Sequence, residues 1–362
     1  MSESRSTNDQ TALPVALDAM GGDHGARVNV EGAVAAARED GARVILVGDE
    51  AVLRRELERL GALPLLGGPL SIRHAPEVIE MDEKPAQAVR KKKGSSMRVA
   101  CDLVKAGEAC GAVSAGNSGA MMAVALLVFG RVDGVLRPCI ATAFPSKSRA
   151  GFSVLVDAGA NTDCSPEQLF QFGLMGAAYL EHAYRAERPA LGVLANGTED
   201  SKGTELTRGT VKLLRQTDLN VLGHVEGNQA MSGDIDVVIT DGFTGNVMLK
   251  TGEGVAKFVG DTIKAGFERG GPLVKLGGLL SRAMLRSLKA TLDYREFGAA
   301  PLLGLAAPAF IAHGSSDAYA IRKAIGAVRR HAQNDITQHV EALVHRWTAL
   351  TEGQREGDSA AS

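Results

Sequence analysis

Several stretches of this 362-residue chain combine glycine, small polar residues and isolated ionisable groups in a pattern suited to an anion. Ala115-Gly116-Asn117-Ser118-Gly119-Ala120 follows a short apolar run. Gly116 and Gly119 permit a tight turn, and Asn117 or Ser118 suits the cap of a following helix. A helix start offers unpaired N–H groups and the positive end of the helix dipole, which together attract phosphate. An ordinary capped turn would use the same residues. His313-Gly314-Ser315-Ser316-Asp317 repeats the pattern with two hydroxyls and an imidazole able to donate or move a proton. A Ser-Asp cap beside an incidental histidine is the plainer reading. In Asp18-Ala19-Met20-Gly21-Gly22-Asp23-His24-Gly25, glycines allow close backbone approach beside Asp18 and Asp23.

Three further Gly-rich stretches carry Asp157 to Cys164, Asn196 to Gly203 and Asp241 to Asn246, with Asn161, Lys202, Asp241 and Asn246 as polar members. Cys164 has no histidine near it in sequence, so a small core thiol is the simpler reading than a nucleophile. A seventh stretch, Glu80 to Lys93, places acids before Pro85 and the cations Arg90, Lys91, Lys92 and Lys93 after it. Helix electrostatics accounts for that order; an acidic partner or a phosphate meeting Lys84 and the basic run is the functional alternative. Neither the dinucleotide G-x-G-x-x-G nor a P-loop occurs, and no His/Cys/Asp set has metal-ligand spacing. The expectation is therefore no metal and no organic cofactor.

These stretches need strands before them and helices after them. Short β-prone runs are predicted at Val15–Asp18, Arg43–Val47, Ser71–His74, Ala112–Ser114, Cys139–Phe144, Phe152–Asp157, Leu191–Leu194, Val221–Val225, Val237–Asp241 and Ala309–Ala312. Helical patterns lie between most of them, the last two over Gly245–Phe267 and Asp317–Trp347. Alternation of this kind predicts an α/β fold with a mainly parallel sheet covered on both faces, and chemistry at the carboxyl ends of its strands. One domain is expected over 13–350, between disordered polar tails at 1–12 and 351–362. Within it, 273–292 carries Lys275, Arg282, Arg286 and Lys289 with no acid. Wound as one helix, these cations oppose Leu273, Leu276, Leu280, Met284 and Leu288, the pattern of a helix lying on an anionic membrane surface. An amphipathic helix packed on the core or on a second subunit has the same pattern.

Composition sets limits. Hydrophobic residues make up 45% and charged residues 23%, enough for a large core. A net charge of −2 and 4% aromatics argue against nucleic acid as a partner. No apolar run reaches the length of a spanning helix, the start lacks a secretory pattern, and four cysteines form no CxxC pair. A cytoplasmic enzyme is expected.

In order along the chain, ALDAMGGDHG, EVIEMDEKPAQAVRKKKGSSMRVA, VSAGNSGAMMA, DAGANTDCSPEQL, DGFTGNVMLKTGEG and IAHGSSDAYAIRKAI closely resemble the phosphate acyltransferase family, PlsX. The resemblance spans about Pro14 to Trp347. One stretch departs, reading Gly197-Thr198-Glu199-Asp200 where many relatives carry glutamates after the glycine. The resemblance implies a Rossmann-like α/β/α sandwich related to phosphotransacetylase and isocitrate-dehydrogenase-type folds, commonly a homodimer. It implies transfer of a fatty acyl group from acyl carrier protein to inorganic phosphate, by direct attack on the thioester. A membrane glycerol-3-phosphate acyltransferase would consume the product in phospholipid synthesis, with the enzyme peripheral to the inner face of the membrane. Resemblance and loop position together nominate His313, Asn117, Ser118 and Lys84 as catalytic. They nominate Asp18, Gly21, Gly22, Asp23, Gly116, Gly119, Asn161, Lys202, Asp241, Asn246, Ser315 and Ser316 for phosphate or substrate; the amphipathic pattern of 273–292 nominates Leu276, Leu280, Met284 and Leu288 for the membrane. A short-chain phosphotransacetylase using coenzyme A, and a membrane-surface scaffold without activity, remain rival readings.

Overall fold

The computed structural model describes residues 13–148, 150–284 and 294–360. Its first block runs β1 (Val15–Asp18), α1 (Gly25–Asp40), β2 (Val44–Gly48), α2 (Glu50–Arg59), β3 (Leu70–His74), α3 (Pro85–Lys91), α4 (Ser96–Lys105), β4 (Gly111–Ser114) and α5 (Ser118–Phe129). The second comprises β5 (Cys139–Pro145), β6 (Phe152–Val156), α6 (Pro166–Tyr184), β7 (Ala190–Leu194), α7 (Glu205–Leu214), β8 (Asn220–Val225), β9 (Val237–Ile239), α8 (Gly242–Arg269) and α9 (Pro272–Leu280). The chain then returns through β10 (Ala299–Leu303), β11 (Ala309–Ala312), α10 (Ala318–Gln333) and α11 (Ile336–Ala360).

Among the described residues, all eleven strands lie in one sheet, ordered β3-β2-β1-β4-β11-β10-β5-β6-β9-β7-β8. The strands β3, β2, β1, β4 and β11 are mutually parallel, as are β6, β9, β7 and β8. Antiparallel pairs at β11–β10, β10–β5 and β5–β6 join the two blocks. The mainly parallel sheet of the sequence reading is present, and these junctions are its exception.

Burial on both faces follows from the side-chain alternation of a strand. Val15 and Leu17 enter a cluster with α1 and α10, whereas Ala16 between them joins α4 and α5 on the other face. In the second block, Val154 and Val156 pack against α6, whose stretch Leu169–Leu180 is buried throughout. Gly173 and Gly176 let that helix lie close to the sheet, since a Cβ at either would come within 2.7 and 2.8 Å of Ile239 and Val237.

Three expectations change. The strand β10, Ala-Ala-Pro-Leu-Leu, has weak β propensity and a proline, and only its neighbours place it inside the sheet. The single helix expected over Asp317–Trp347 is two, because Asp335 takes a left-handed backbone (φ 48°) between α10 and α11. Helix α9 ends at Leu280 with Ser281 as its cap, so the described part of 273–292 is not one continuous helix. Arg286, Leu288 and Lys289 lie outside the described residues, as does the tail at 1–12. At the other end, α11 carries residues expected to form a tail through Ala360.

Asn29, buried on α1, ties the loop after β1 to the body: its Nδ2 lies 3.2, 2.8 and 3.0 Å from the carbonyl oxygens of Ala19, Gly21 and Gly25. Removing it leaves buried carbonyls unpaired, so Asn29→Ala is expected to cost about 1–3 kcal/mol. Urea unfolding should show a lower midpoint at unchanged slope; an unchanged midpoint would refute the role.

Candidate functional site

The loops leaving β1, β4 and β11 meet because those strands are adjacent, and the loop before α3 joins them. Asp18, the last residue of β1, is buried and accepts the Ser114 hydroxyl at 2.6 Å. Ser114 Oγ in turn accepts the Gly116 N–H at 3.0 Å, which fixes the turn into α5. The Asp18 loop then passes within contact of both neighbours. A Cβ on Gly21 would sit 2.8 Å from Asp18 Oδ2 and from Gly116 N, and one on Gly22 (φ 93°) 3.1 Å from the Gly314 oxygen. The Asp23 N–H donates to that same Gly314 oxygen at 2.8 Å. No side chain larger than hydrogen fits at either glycine.

Asn117 caps α5, accepting the Ala120 N–H at 3.0 Å, and donates Nδ2 to the carbonyls of Met81 and Glu83, each at 3.0 Å. Its side chain is thereby committed to holding the Lys84 loop against the start of α5. The same contact brings Pro85 over Gly119. Lys84 and Ser118 are exposed beside this junction. The basic run is divided: Lys92 pairs with Glu83 and donates to the Val78 carbonyl, while Arg90, Lys91 and Lys93 are exposed. The Glu80 N–H and then Lys92 hold the Glu83 carboxyl below its ordinary range. On the fourth loop, His313 Nδ1 lies 3.2 Å from the Ser315 N–H and 2.8 Å from its hydroxyl, so Nδ1 is an acceptor there. Ser316 is buried, and among the described residues its hydroxyl has no partner.

A second group forms at the carboxyl ends of β6, β9 and β7, again adjacent strands. Asp157, immediately after β6, has no exposed surface. Its Oδ1 accepts N–H groups of Ile140, Gly159 and Ala160, and its Oδ2 accepts both the N–H and the Nδ2 of Asn161. Burial pushes this carboxyl up, and the N–H donors oppose that shift by favouring the charged form. Helix α8 starts on top of this turn: a Cβ on Gly242 would lie 2.9 Å from Asp157 Oδ2, and one on Gly245 1.9 Å from the Asp157 oxygen. Asp241 caps α8 through the Thr244 N–H and hydroxyl, both at 2.8 Å. Asn246, exposed on the first turn of α8, has its Cβ 3.6 Å from the position a Cβ on Gly159 would take. Burial first, then Asp157 and Asp241, push the Cys164 thiol up to about 12, which fits the small-core reading and not a thiolate nucleophile.

Lys202 is exposed on the loop after β7. That loop is pinned from several sides: Asn196 Oδ1 accepts the Gly203 N–H, His224 Nδ1 faces the Glu199 carbonyl at 3.3 Å, and Arg215 forms a two-bond pair with Asp200.

The contacts thus join Asp18, Gly21, Gly22, Asp23, Gly116, Asn117, Gly119, Lys84 and the His313–Ser316 loop into one group. They place Asn161, Asp241 and Asn246 in another, with Lys202 on the neighbouring strand end. Leu276, Leu280 and Met284 belong to neither and are exposed on and after α9. Sequence reading left Ser114, Asn29 and Asp157 unassigned. A signal for Asp157 was present: Leu-Asp-Ala ending β1 and Val-Asp-Ala ending β6 are parallel signatures, an aspartate closing an apolar strand before a small-residue turn.

Comparison with known proteins adds the following. A family model described as "Fatty acid synthesis protein" matches residues 13–339. A phosphate acyltransferase of Anaeromyxobacter sp. (strain Fw109-5) is 48% identical over 340 residues, covering 94% of this chain and 93% of the relative. One from Trichlorobacter lovleyi is 46% identical over 339 residues, with 93% and 96% covered. Among solved structures, the EutD phosphotransacetylase from Staphylococcus aureus superposes at a TM-score of 0.57 with 16% identity, over 91% of this chain and 100% of that one. At that identity the likeness is one of fold.

The close seating of α8 on the Asp157 turn makes a specific demand on Gly245. Gly245→Ala is expected to lower the unfolding midpoint and speed amide exchange at Gly159 to Asn161. Gly254→Ala on the same helix, where a Cβ meets nothing within 4 Å, should be neutral or stabilise by about 0.5–1 kcal/mol. Equal effects at the two glycines would refute the close contact.

Proposed function

The chain belongs to the phosphate acyltransferase (PlsX) family, and from that premise we propose that it transfers a fatty acyl group from the thioester of acyl carrier protein to inorganic phosphate. In this reading a phosphate oxygen attacks the thioester carbonyl, forming a tetrahedral oxyanion. Collapse expels the carrier's thiolate and leaves an acyl phosphate. A thiolate is a good leaving group, so the protein's task is to hold phosphate dry and oriented and to meet the oxyanion with donors.

The observation that carries this reading is the convergence of four loops on the start of α5. The helix starts at three of the candidate loops have caps that differ in charge. Asp241 caps α8 and Asp317 caps α10, placing a carboxylate where a phosphate would sit. The cap of α5 is the neutral Asn117, with Ser118 and Gly119 exposed in its first turn and Lys84 at the adjoining loop. Phosphate at α5 is therefore favoured by dipole and lysine together. His313, with Ser315 directed at its Nδ1, offers its Nε2–H as a donor from the next strand end, and Asp18 acts through Ser114 to hold the turn. Lys202 and Asn246, exposed at strand ends of the second block, are assigned to the same reaction. Five steps separate β4 from β9 in the sheet, and at about 20–25° of twist per step the strand direction turns through roughly 100–125°. That rotation offsets much of the reversal between the blocks, which supports assigning both sets of strand-end loops to one reaction.

The wider setting follows. Arg90, Lys91 and Lys93 form a docking patch for the acidic carrier, with electrostatic steering. Helix α8 buries only Gly242 and Gly245, and Phe243, Val255 and Phe258 are exposed along it, a surface suited to a second copy in a homodimer. Beyond it, Leu273, Leu276, Leu280 and Met284 form an exposed apolar surface beside Lys275 and Arg282, which contacts the anionic inner face of the membrane. There the acyl phosphate passes to a membrane glycerol-3-phosphate acyltransferase.

Purified protein is expected to release thiol from acyl carrier protein thioesters only when phosphate is present, with acyl phosphate as the second product. Substitutions His313→Ala and Lys202→Ala should each lower kcat at least about tenfold. Preference for short-chain coenzyme A thioesters would establish the phosphotransacetylase reading instead, and absence of acyl phosphate with every donor would favour a scaffold. On vesicles containing anionic lipid, wild type should co-sediment and Leu276→Glu/Leu280→Glu should not, with solution activity kept within about twofold. Equal sedimentation of the folded double variant would remove this segment from the membrane.

A further inference from the structure

We propose that Asp157 is a positioning residue for acyl transfer, a buried charge that sets the first turn of α8 and through it the placement of Asn246. The inference rests on the reading that Asn246 faces the reacting groups. Its basis is the unusual saturation of one carboxylate. Oδ1 accepts from the Ile140 N–H at 2.9 Å, the Gly159 N–H at 3.2 Å and the Ala160 N–H at 3.1 Å. Oδ2 accepts from the Asn161 N–H at 2.7 Å and from Asn161 Nδ2 at 2.9 Å. Every one of these partners is an N–H of the turn or of β5, and no cation is among them. The charge is met instead by oriented dipoles, including the start of a 28-residue helix.

The connection to Asn246 is short. Asn161 is clamped by Asp157 on one side and by the Pro138 carbonyl, which its Nδ2 reaches at 2.8 Å, on the other. The Asn161 carbonyl accepts the Gly242 N–H at 2.6 Å, which fixes where α8 begins. Gly242, Gly245 and Asn246 stand at i, i+3 and i+4, on one face of that first turn. Gly242 is pressed against the Asp157 carboxylate and Gly245 against the Asp157 main-chain carbonyl, so the position of Asn246 is inherited from the turn that the carboxylate organises. An asparagine in place of Asp157 would exchange one acceptor oxygen for a donor NH₂ facing N–H groups that need acceptors. The turn would have to open, carrying Asn246 with it, and a displacement of about 1 Å at a reacting group costs about 10²-fold in rate.

The test is a double-mutant cycle in the phosphate-dependent thiol-release assay, using Asp157→Asn, Asn246→Ala and both together. Asp157→Asn is expected to lower kcat about tenfold or more, with the phosphate KM within about twofold. On the Asn246→Ala background it should cost less than about twofold further, because the two act as one unit. Amide exchange at Phe243 to Val247 should accelerate in Asp157→Asn. Full additivity of the two substitutions, wild-type kcat in folded Asp157→Asn, or unchanged exchange in α8 would each overturn the proposal. Should Asp157→Asn not fold, Asn161→Ala retains the carboxylate and the main-chain links but removes the Nδ2 clamp to Asp157 and Pro138, so faster exchange in the first turn of α8 and a lower kcat are expected together; wild-type exchange and kcat there overturn it. Accelerated exchange combined with wild-type kcat in Asn246→Ala would instead locate the error in the role given to Asn246.

Discussion

A backbone polar group taken out of water must find a partner, and the broad doubly covered sheet makes that constraint strict. Within a strand the ladder supplies the partner. One residue beyond the strand it does not, and the chain there still lies between layers of helix. Asp18, Asn29, Asn117, Asp157 and Asn161 are the solution: each is a short polar side chain that pairs with at least one backbone group and ties its loop to another segment or side chain. The loops are ordered because these side chains cross-link them. The same ordering leaves Ser118, Lys84, Lys202 and Asn246 exposed on a fixed framework.

Two of these side chains are carboxylates, and they are managed differently. Asp18 shares its charge with a hydroxyl, and through Ser114 it extends to the turn into α5. Asp157 has only N–H donors and sits under a long helix. Charge at helix starts is thus distributed unevenly. The starts of α8 and α10 carry acidic caps, and that of α5 carries a neutral one beside an exposed lysine. Any anion placed at these starts would meet that difference directly, because the caps lie within the single turn over which a helix dipole acts.

The arm made by α8 and α9 obeys another logic. Its first residues are sealed against the body, with Gly252 against the Phe144 ring and Met248 and Leu249 packed on the sheet. Farther on, Phe258 is 71% exposed and Leu273 84% exposed. Apolar surface of this extent is seldom left to water without a use. Because α8 is a continuous helix, the turn on Asp157 at its start and the exposed apolar residues farther along belong to one element.

Much of this was legible in the residues. Ten of the eleven strands follow from short apolar runs bounded by glycine and aspartate, since a strand buried on both faces must be apolar at every position. The turns and helix starts after these strands follow too, because Gly, Asn and Asp after such a run have few uses other than a turn and a cap. What the sequence could not decide was partnership. The strand β10, with its proline and two alanines, is a strand only because β11 and β5 flank it. Asn117 read equally well as ligand or cap until the Met81 and Glu83 carbonyls, more than thirty residues away, came to meet its amide. Asp157 was one aspartate among several until five N–H groups converged on it. Each of these depends on which segments the tertiary fold brings within 3 Å, and residue type alone carries no information about that distance.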